Sequence, residues 1–239
     1  VLLGGLLVMF ANMAGAVTCT STQDGNWSAK ASWDCGTGSN NGPPKPGDAV
    51  VISNYSITLD TSATVLSLTV DSLPARLQHT SATNYTLTVN GAVDVTGAIF
   101  SSGGTGVLSL TAANVTSSGI VEAGVMIVSG ALVNSGIMEI GTGIVDGNVT
   151  NTSAGDLSAK QFSFQGGAQA ATFQGVTAFG DLTVAASSTV ASTVTSSFTL
   201  TGNLVNNGSF SLTGATMTVS GTGAQTLGGA NPVRIARLI

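Results

Sequence analysis

The sequence predicts an all-β protein, a single-stranded parallel β-helix (β-solenoid) with a disulfide-tied cap at its N-terminus. Three observations point to this fold class. Glycine is abundant, with 32 copies among 239 residues, and small, β-branched and hydroxyl residues fill most of the rest. Related segments recur at a period of about 17–18 residues, and the two cysteines lie close together near the N-terminus. Such a composition suits strands joined by many tight turns.

Charge is scarce in this chain and slightly acidic overall. Charged residues make up 7% of the sequence, against about 25% in typical soluble domains. Six Lys and Arg face 11 Asp and Glu, for a net charge of −5. A nucleic-acid-binding protein needs a basic face that releases counterions. The composition therefore excludes nucleic acid as a partner, while 43% hydrophobic residues suffice for a large core.

The first 16 residues have the pattern of a secretory signal peptide. The apolar stretch over residues 1–10 is shorter than the roughly 20 residues that span a bilayer. It ends in Ala14-Gly15-Ala16, an A-x-A cleavage signature. We expect cleavage before Val17 and a secreted protein. A buried N-terminal strand or helix, or a retained membrane anchor, remains the alternative.

Residues 17–80 form the predicted head, comprising the cap and the first coils. Proline and glycine mark residues 36–48 as a loop, and strand-like runs follow at 50–53, 56–59, 66–70 and 76–79. Trp27 and Trp33 are the only tryptophans, and we expect them to be buried in the cap. Stacking of one tryptophan on a sugar ring is the alternative.

The only cysteines, Cys19 and Cys35, are predicted to form a disulfide, because the chain carries an export signal. Their Cα atoms should then lie within about 7 Å of each other. A metal pair is the alternative, but further ligands are lacking because the single histidine, His79, is distant in sequence.

The head resembles a known group of exported proteins. The shared order is Gly25-Asn26-Trp27-Ser28, Ser32-Trp33, Pro44-Lys45-Pro46-Gly47-Asp48-Ala49-Val50-Val51-Ile52, Ile57-Thr58-Leu59-Asp60 and Leu66-Ser67-Leu68-Thr69-Val70. This order resembles the head of bacterial β-strand-repeat surface proteins, the eight-glycine domain of extracellular β-helical proteins, and heads of some pilus-associated proteins. The resemblance implies an exported β-helical protein and brings no catalytic residues to this chain.

Residues 81–239 are predicted to be the solenoid repeats. Segments that begin at Asn114, Ala131, Asn148 and Asn203 align, the first three at a spacing of 17. The alignment predicts an apolar column of Val115, Leu132, Val149 and Leu204, a second of Ala123, Ile140, Leu157 and Leu212, and a polar column of Ser117, Asn134, Asn151 and Asn206. Leu132, Ile140, Val149 and Leu157 are therefore expected in the core. Because Ile239 ends the sequence among strand-like residues, we expect truncation or an edge completed by another segment.

Three carboxylates share the same spacing. Glu122, Glu139 and Asp156 are 17 apart, and we expect them to stack on successive coils. The simplest interpretation is a wet outward face, flat or convex, that keeps the rod soluble. A weak Ca²⁺ site or an acidic polysaccharide-processing site is the alternative, in which Lys160 is the only nearby base in sequence.

The sequence contains no recognisable catalytic motif. Any Ser-His-Asp arrangement would have to use His79, and no Gly-x-Ser-x-Gly elbow occurs. We therefore predict a structural or adhesive cell-surface protein that is not an enzyme and needs no cofactor. Two alternatives stay open: a carbohydrate-active β-helix, and a pilus- or filament-associated subunit. Surface glycans, other cell-surface proteins and edge-to-edge self-association are the expected interactions.

Overall fold

A computed structural model describes residues 16–36, 42–101, 105–192 and 195–239 of the chain. The predicted signal peptide, residues 1–16, falls outside these ranges except for Ala16. About 60% of the chain is strand and 1% is helix, arranged as a parallel β-solenoid of about nine turns. The predicted fold class is therefore confirmed.

The strands follow one another along the chain with short turns between them. The first group is β1 Thr18–Ser21, β2 Gly25–Asn26, β3 Trp33–Asp34, β4 Ala49–Ile52, β5 Ser56–Thr58, β6 Ala63–Val65, β7 Ser67–Val70, β8 Arg76–Gln78 and β9 Tyr85–Val95, with a 3₁₀ turn at Lys30–Ser32. The middle group is β10 Ala98–Phe100, β11 Leu108–Ser117, β12 Ile120–Val128, β13 Leu132–Asn134, β14 Ile137–Val145, β15 Val149–Asn151, β16 Asp156–Phe164 and β17 Ala168–Phe173. The last group is β18 Val176–Val184, β19 Thr189–Ser192, β20 Ser196–Leu200, β21 Leu204–Asn206, β22 Ser209–Val219, β23 Leu227–Gly228 and β24 Val233–Leu238.

Each central coil contributes to three parallel faces. Face A contains β8, β10 and the first halves of β12, β14, β16 and β18. Face B contains the first halves of β9 and β11, the second halves of those four long strands, and β21. Face C contains the second halves of β9 and β11, then β13, β15, β17, β19 and the first half of β22. The parallel ladder continues across position 80, since β8 pairs with β10.

The predicted 17-residue register holds for the middle coils on face C. Val115 pairs with Leu132, which pairs with Val149, and Ser117, Asn134 and Asn151 stack in the same way. The next partner of Val149 is Ala171, 22 positions further on. The coils therefore widen after β15.

The widening makes two predicted alignments wrong. Leu204 pairs with Leu182 and Asn206 with Val184, so the fourth segment lies on face B rather than on face C. Leu212 lies on face C, opposite Ser192, and does not continue the Ala123–Ile140 column.

A two-residue insertion explains the first change of register. Residues 135 and 136 separate face C from face A in one coil, whereas residues 152–155 do so in the next. Ile140 consequently pairs with Ala159, and Leu157 pairs with Met138 instead of Ile140. Leu132, Ile140, Val149 and Leu157 are all buried, so their predicted core position is confirmed although the second column is not.

The core changes character as the coils widen. Its middle part is filled by Val, Leu, Ile and Met, whereas Phe162, Phe164, Phe173, Phe179, Phe198 and Phe210 fill the later coils. Neighbouring rings lie 4.9–6.5 Å apart between centroids, in tilted or edge-to-face arrangements that suit aromatic pairs. The later coils are therefore held by larger side chains, each of which buries more surface than an aliphatic one.

Buried asparagines complete one corner of the core. Asn134 and Asn151 are fully buried, and the Asn134 amide donates to the Asn151 Oδ1 at 2.9 Å. The Asn151 amide in turn donates to the Val176 carbonyl oxygen at 2.6 Å. The Asn134 amide also donates to the Asp156 carbonyl oxygen at 2.9 Å, so both asparagines satisfy backbone groups where the chain turns from face C to face A.

The N-terminal cap is held by the predicted disulfide. Cys19 and Cys35 are bonded, with Cα atoms 4.0 Å apart, which confirms the pairing. Trp27 and Trp33 are only 1% and 3% exposed and pack edge to face, so the alternative of a sugar stacked on either ring is wrong. The Trp33 indole N–H donates to the Trp27 carbonyl oxygen. Since β1 pairs in parallel with β4, the cap is continuous with the first coil.

Candidate functional site

The structure brings together two of the three predicted carboxylates. Glu122 and Glu139 are direct neighbours in the parallel ladder of face A, as the 17-residue spacing predicted. The next residue in that column is Ser158, because Glu139 pairs with it. Asp156 pairs with Ile137 instead, and lies two positions away along its strand. The predicted three-residue ladder is therefore wrong at Asp156, owing to the insertion at residues 152–155.

The two glutamates line a groove of about 650 Å³, which runs along the corner where face A ends. Six successive coils contribute to it, from Ser101 in the first to Thr201 in the last. The groove is shallow and open to solvent, and Glu139 is exposed in it, so the expected outward, solvated position of the carboxylates stays a prediction. Ligand sites are usually concave, so this groove is the candidate ligand site of the described residues.

Glycines form the floor of the groove. Gly124, Gly141 and Gly180 stand at the bend between faces A and B, with Lys160 in the same position of the coil between the last two. A Cβ atom on Gly141 would collide with the Gly124 carbonyl oxygen, and one on Gly180 with the Lys160 carbonyl oxygen. At these two glycines the neighbouring coil leaves no room for a side chain, so the floor there is backbone, and Lys160 interrupts it in the coil between them.

One wall of the groove carries its polar side chains. The outward column of face A reads Glu122, Glu139, Ser158 and Ala178 from coil to coil. In a parallel ladder these positions are about 4.8 Å apart. This wall thus presents two carboxylates and a hydroxyl in one column, and Lys160 lies beside it at the corner.

Glu122 lies in an unfavourable electrostatic environment. Burial raises the pKa of the Glu122 carboxyl above its ordinary value of 4.5, and the adjacent Glu139 carboxylate raises that pKa further. Both causes disfavour the charged form of Glu122. A ligand that supplied positive charge or donor groups here would relieve this repulsion.

The single histidine does not line the groove. His79 is buried, with its Nε2 atom 2.8 Å from the Thr83 carbonyl oxygen and its ring edge to face with Tyr85. Across residues 16–36, 42–101, 105–192 and 195–239, no three of His, Cys, Asp and Glu are grouped as a metal site would require. The helical segments of the same ranges include none long and apolar enough to cross a membrane.

The spacing of two glycines in the sequence indicates the groove floor, although it was not predicted. Gly124 and Gly141 are also 17 apart, each two residues after a glutamate. Read together with the glutamates, they indicate a column without side chains beside a charged column. Lys160 could not be placed in this way, because the insertion moves it out of the 17-residue register.

Comparisons with family models, with curated proteins and with solved structures found no match to this chain.

Proposed function

We propose that this chain is an exported rod of the bacterial cell surface that acts in structure and adhesion, without catalysis. The observation that carries the proposal is the long parallel solenoid closed at one end by a disulfide-tied cap. Such a rod presents extended faces and projects them away from the point at which it is held.

The disulfide supports the proposed location, and the composition narrows the choice of partner. Disulfides persist in oxidising compartments and are rare in the cytosol, and the cap of this chain contains one. The few charges of the chain and its net charge of −5 argue against an anionic partner such as a nucleic acid.

Cell-surface location is tested by fractionation, with protease treatment of intact source cells followed by immunoblotting for this chain. We expect a protease-accessible, oxidised form at the surface, and beads coated with the purified chain should adhere to surface polymers. A chain confined to the cytosol in reduced form contradicts the proposal.

A carbohydrate-active protein is the second candidate, favoured by the position of Glu122 and Glu139 in the groove. Paired carboxylates about 5–5.5 Å apart serve retaining glycosidases, but there they flank the scissile bond from two sides. Here both project from one wall, in line with the groove. This arrangement favours binding over cleavage.

Turnover on a panel of polysaccharides separates the two candidates. We expect no reducing ends or unsaturated products from the wild-type chain. Clear turnover that disappears in Glu139→Gln and persists in Asp156→Asn would establish an enzyme instead.

A further inference from the structure

We propose that face B binds ice, through the outward side chains of the four coils that contribute β6, β9, β11 and β12. This inference goes beyond the proposed surface function and does not depend on it. Three properties of this surface carry it: the spacing of its side chains, their chemistry and their neutrality.

Face B presents an unbroken parallel ladder over these four coils. β6 extends the face toward the cap, because it pairs with the first half of β9. That half pairs with the first half of β11, which pairs with the second half of β12. Outward positions then lie about 4.8 Å apart from coil to coil and about 6.7 Å apart along each strand. The outward surface is therefore a regular grid, two residues wide and four coils long.

β-branched side chains occupy most of this grid. Its two columns are Thr64, Thr88, Thr111 and Ile127, and Ser62, Thr86, Ser109 and Val125. They point outward, because the residues between them, such as Leu87 and Leu110, are buried in the core. A β-branched side chain has a stiff χ1 torsion. The methyl groups of the grid are therefore held in a fixed array, and Ile127 is 36% exposed within it.

A fixed array of methyl and hydroxyl groups is suited to ordered water. Apolar surface restricts the orientation of the water molecules next to it. A threonine hydroxyl donates one hydrogen bond to such water and accepts others from it. An ice plane carries its oxygen atoms on a grid whose repeats are of the same few ångströms as those of this surface. Water held on the grid can therefore become part of an ice lattice.

The grid carries no charge. The charged residues of the chain segment 62–146 lie on face A, on face C or at the corners, and they are Asp71, Arg76, Asp94, Glu122, Glu139 and Asp146. A charged group binds its own water strongly, which opposes the order of a crystal. Thr142 and Ile144 continue the pattern of the grid as far as a shallow concavity, which Gln161 and Asp181 line.

The side chains of the grid are poor anchors for a macromolecule. Protein interfaces are held mainly by aromatic and arginine side chains, and sugar rings stack on aromatic faces. The eight positions of the grid contain neither kind of residue. Ice requires only a rigid, uncharged surface of suitable repeat, so the grid favours ice over a protein or a glycan.

The test compares two lysine substitutions on the same strand, β11. Thr111→Lys places a long charged side chain within the grid, whereas Thr116→Lys places the same side chain on face C, where Thr116 is exposed. Freezing-point hysteresis and uptake of the protein into slowly growing ice are measured for both variants and for the wild type. We expect the wild type to show hysteresis and to enter the ice. Thr111→Lys should abolish both effects, and Thr116→Lys should leave them unchanged.

Several results would overturn the inference. A wild-type chain that is excluded from growing ice and shows no hysteresis would contradict it directly. Equal losses in the two lysine variants would show that face B is not the surface that binds ice. A dimer that sedimentation velocity detects in the wild type, and that Thr111→Lys dissociates, would make face B a contact between two copies of the chain.

A conservative variant and a folding control keep the outcome interpretable. Thr111→Val retains the β-branched shape, so it should retain the hysteresis that Thr111→Lys loses. Circular dichroism and the melting temperature establish that each variant is folded. A chain that fractionates to the cell surface but does not bind ice would contradict this inference alone and leave the proposed surface function standing.

Discussion

At the level of single residues, glycine determines where this solenoid can bend and what it can expose. Gly141 is the clearest case, because the space that its Cβ would need is occupied by the Gly124 carbonyl oxygen of the previous coil. That obstacle is backbone, which cannot swing aside as a flexible side chain can. A side chain at Gly141 would force two coils apart at the floor of the groove.

Replacement of this glycine should therefore be costly. Gly141→Ala is expected to lower the free energy of unfolding by about 1–3 kcal/mol, the usual cost of overpacking. Gly167→Ala is the matched control, because a Cβ there would meet nothing within 4 Å. We expect the control to be neutral or slightly stabilising, as measured by urea unfolding. Equal losses in both variants would contradict the stacking of the corners.

The raised pKa of Glu122 predicts that the stability of the fold depends on pH. Its raised pKa means that the folded chain holds this proton more tightly than the unfolded chain does. The stabilisation is complete below the ordinary pKa of 4.5 and is lost as pH rises through the folded pKa. Melting temperatures of wild type and Glu122→Gln should therefore diverge with rising pH, in favour of the variant. A constant difference across this range would contradict the assigned shift.

At the level of the element, the alternation of inward and outward residues on each short strand holds the coils in register. On β13, Leu132 points into the core between Val115 and Val149, while Val133 points outward and is half-buried. One strand thus offers both environments at adjacent positions. A charge should be tolerated at one of them and not at the other.

Leu132→Asp is expected to cost more than about 4 kcal/mol and to prevent folding at ordinary temperatures, because it leaves an unpaired carboxylate between coils. Val133→Asp introduces the same group on the solvent side and should cost less than about 1 kcal/mol. Thermal unfolding of the two variants measures the difference. Similar melting temperatures would show that the assignment of inward and outward residues is incorrect.

The element scale also explains what could and could not be predicted from the sequence. Coils of equal length produce a regular repeat in the sequence. The stacking of Val115 on Leu132 and of Glu122 on Glu139 was therefore predictable. The insertion at residues 152–155 leaves the local pattern intact while it shifts every later partner. Asp156 was misplaced for that reason, and Asn206 was misplaced because the coils after β15 widen further. The groove was not predicted, because it lies at the corner between two faces. The alternation of residues along a strand describes the faces and not the corners.

At the level of the whole molecule, the cap is the one place where the stacking is reinforced covalently. The disulfide closes a loop between residues that are 16 apart in sequence, next to the buried tryptophan pair. A closed loop of this size restricts the unfolded chain more than the folded one. The cap therefore stabilises the end of the rod at which a strand edge would otherwise stand open.

Removal of the disulfide should cost about 3 kcal/mol, the chain-entropy value for a loop of this length. The double variant Cys19→Ser with Cys35→Ser is expected to lower the free energy of unfolding by that amount and to leave the coil circular dichroism signal unchanged. Wild type under reducing conditions is the parallel measurement. No loss in either experiment would indicate that the cap contributes little to the stability of the rod.

The uneven coils have a mechanical consequence. Each coil is bonded only to the coils next to it, so a force on β24 first separates β24 from β22 and then loads the following coil. Coils of 17 to 25 residues would come free in turn, each lengthening the tether by about 60 to 85 Å. Forced unfolding would stop at the loop closed by Cys19 and Cys35, which the disulfide keeps from extending. Under shear flow such a rod would lengthen coil by coil and dissipate the load, up to a maximum extension set by the disulfide.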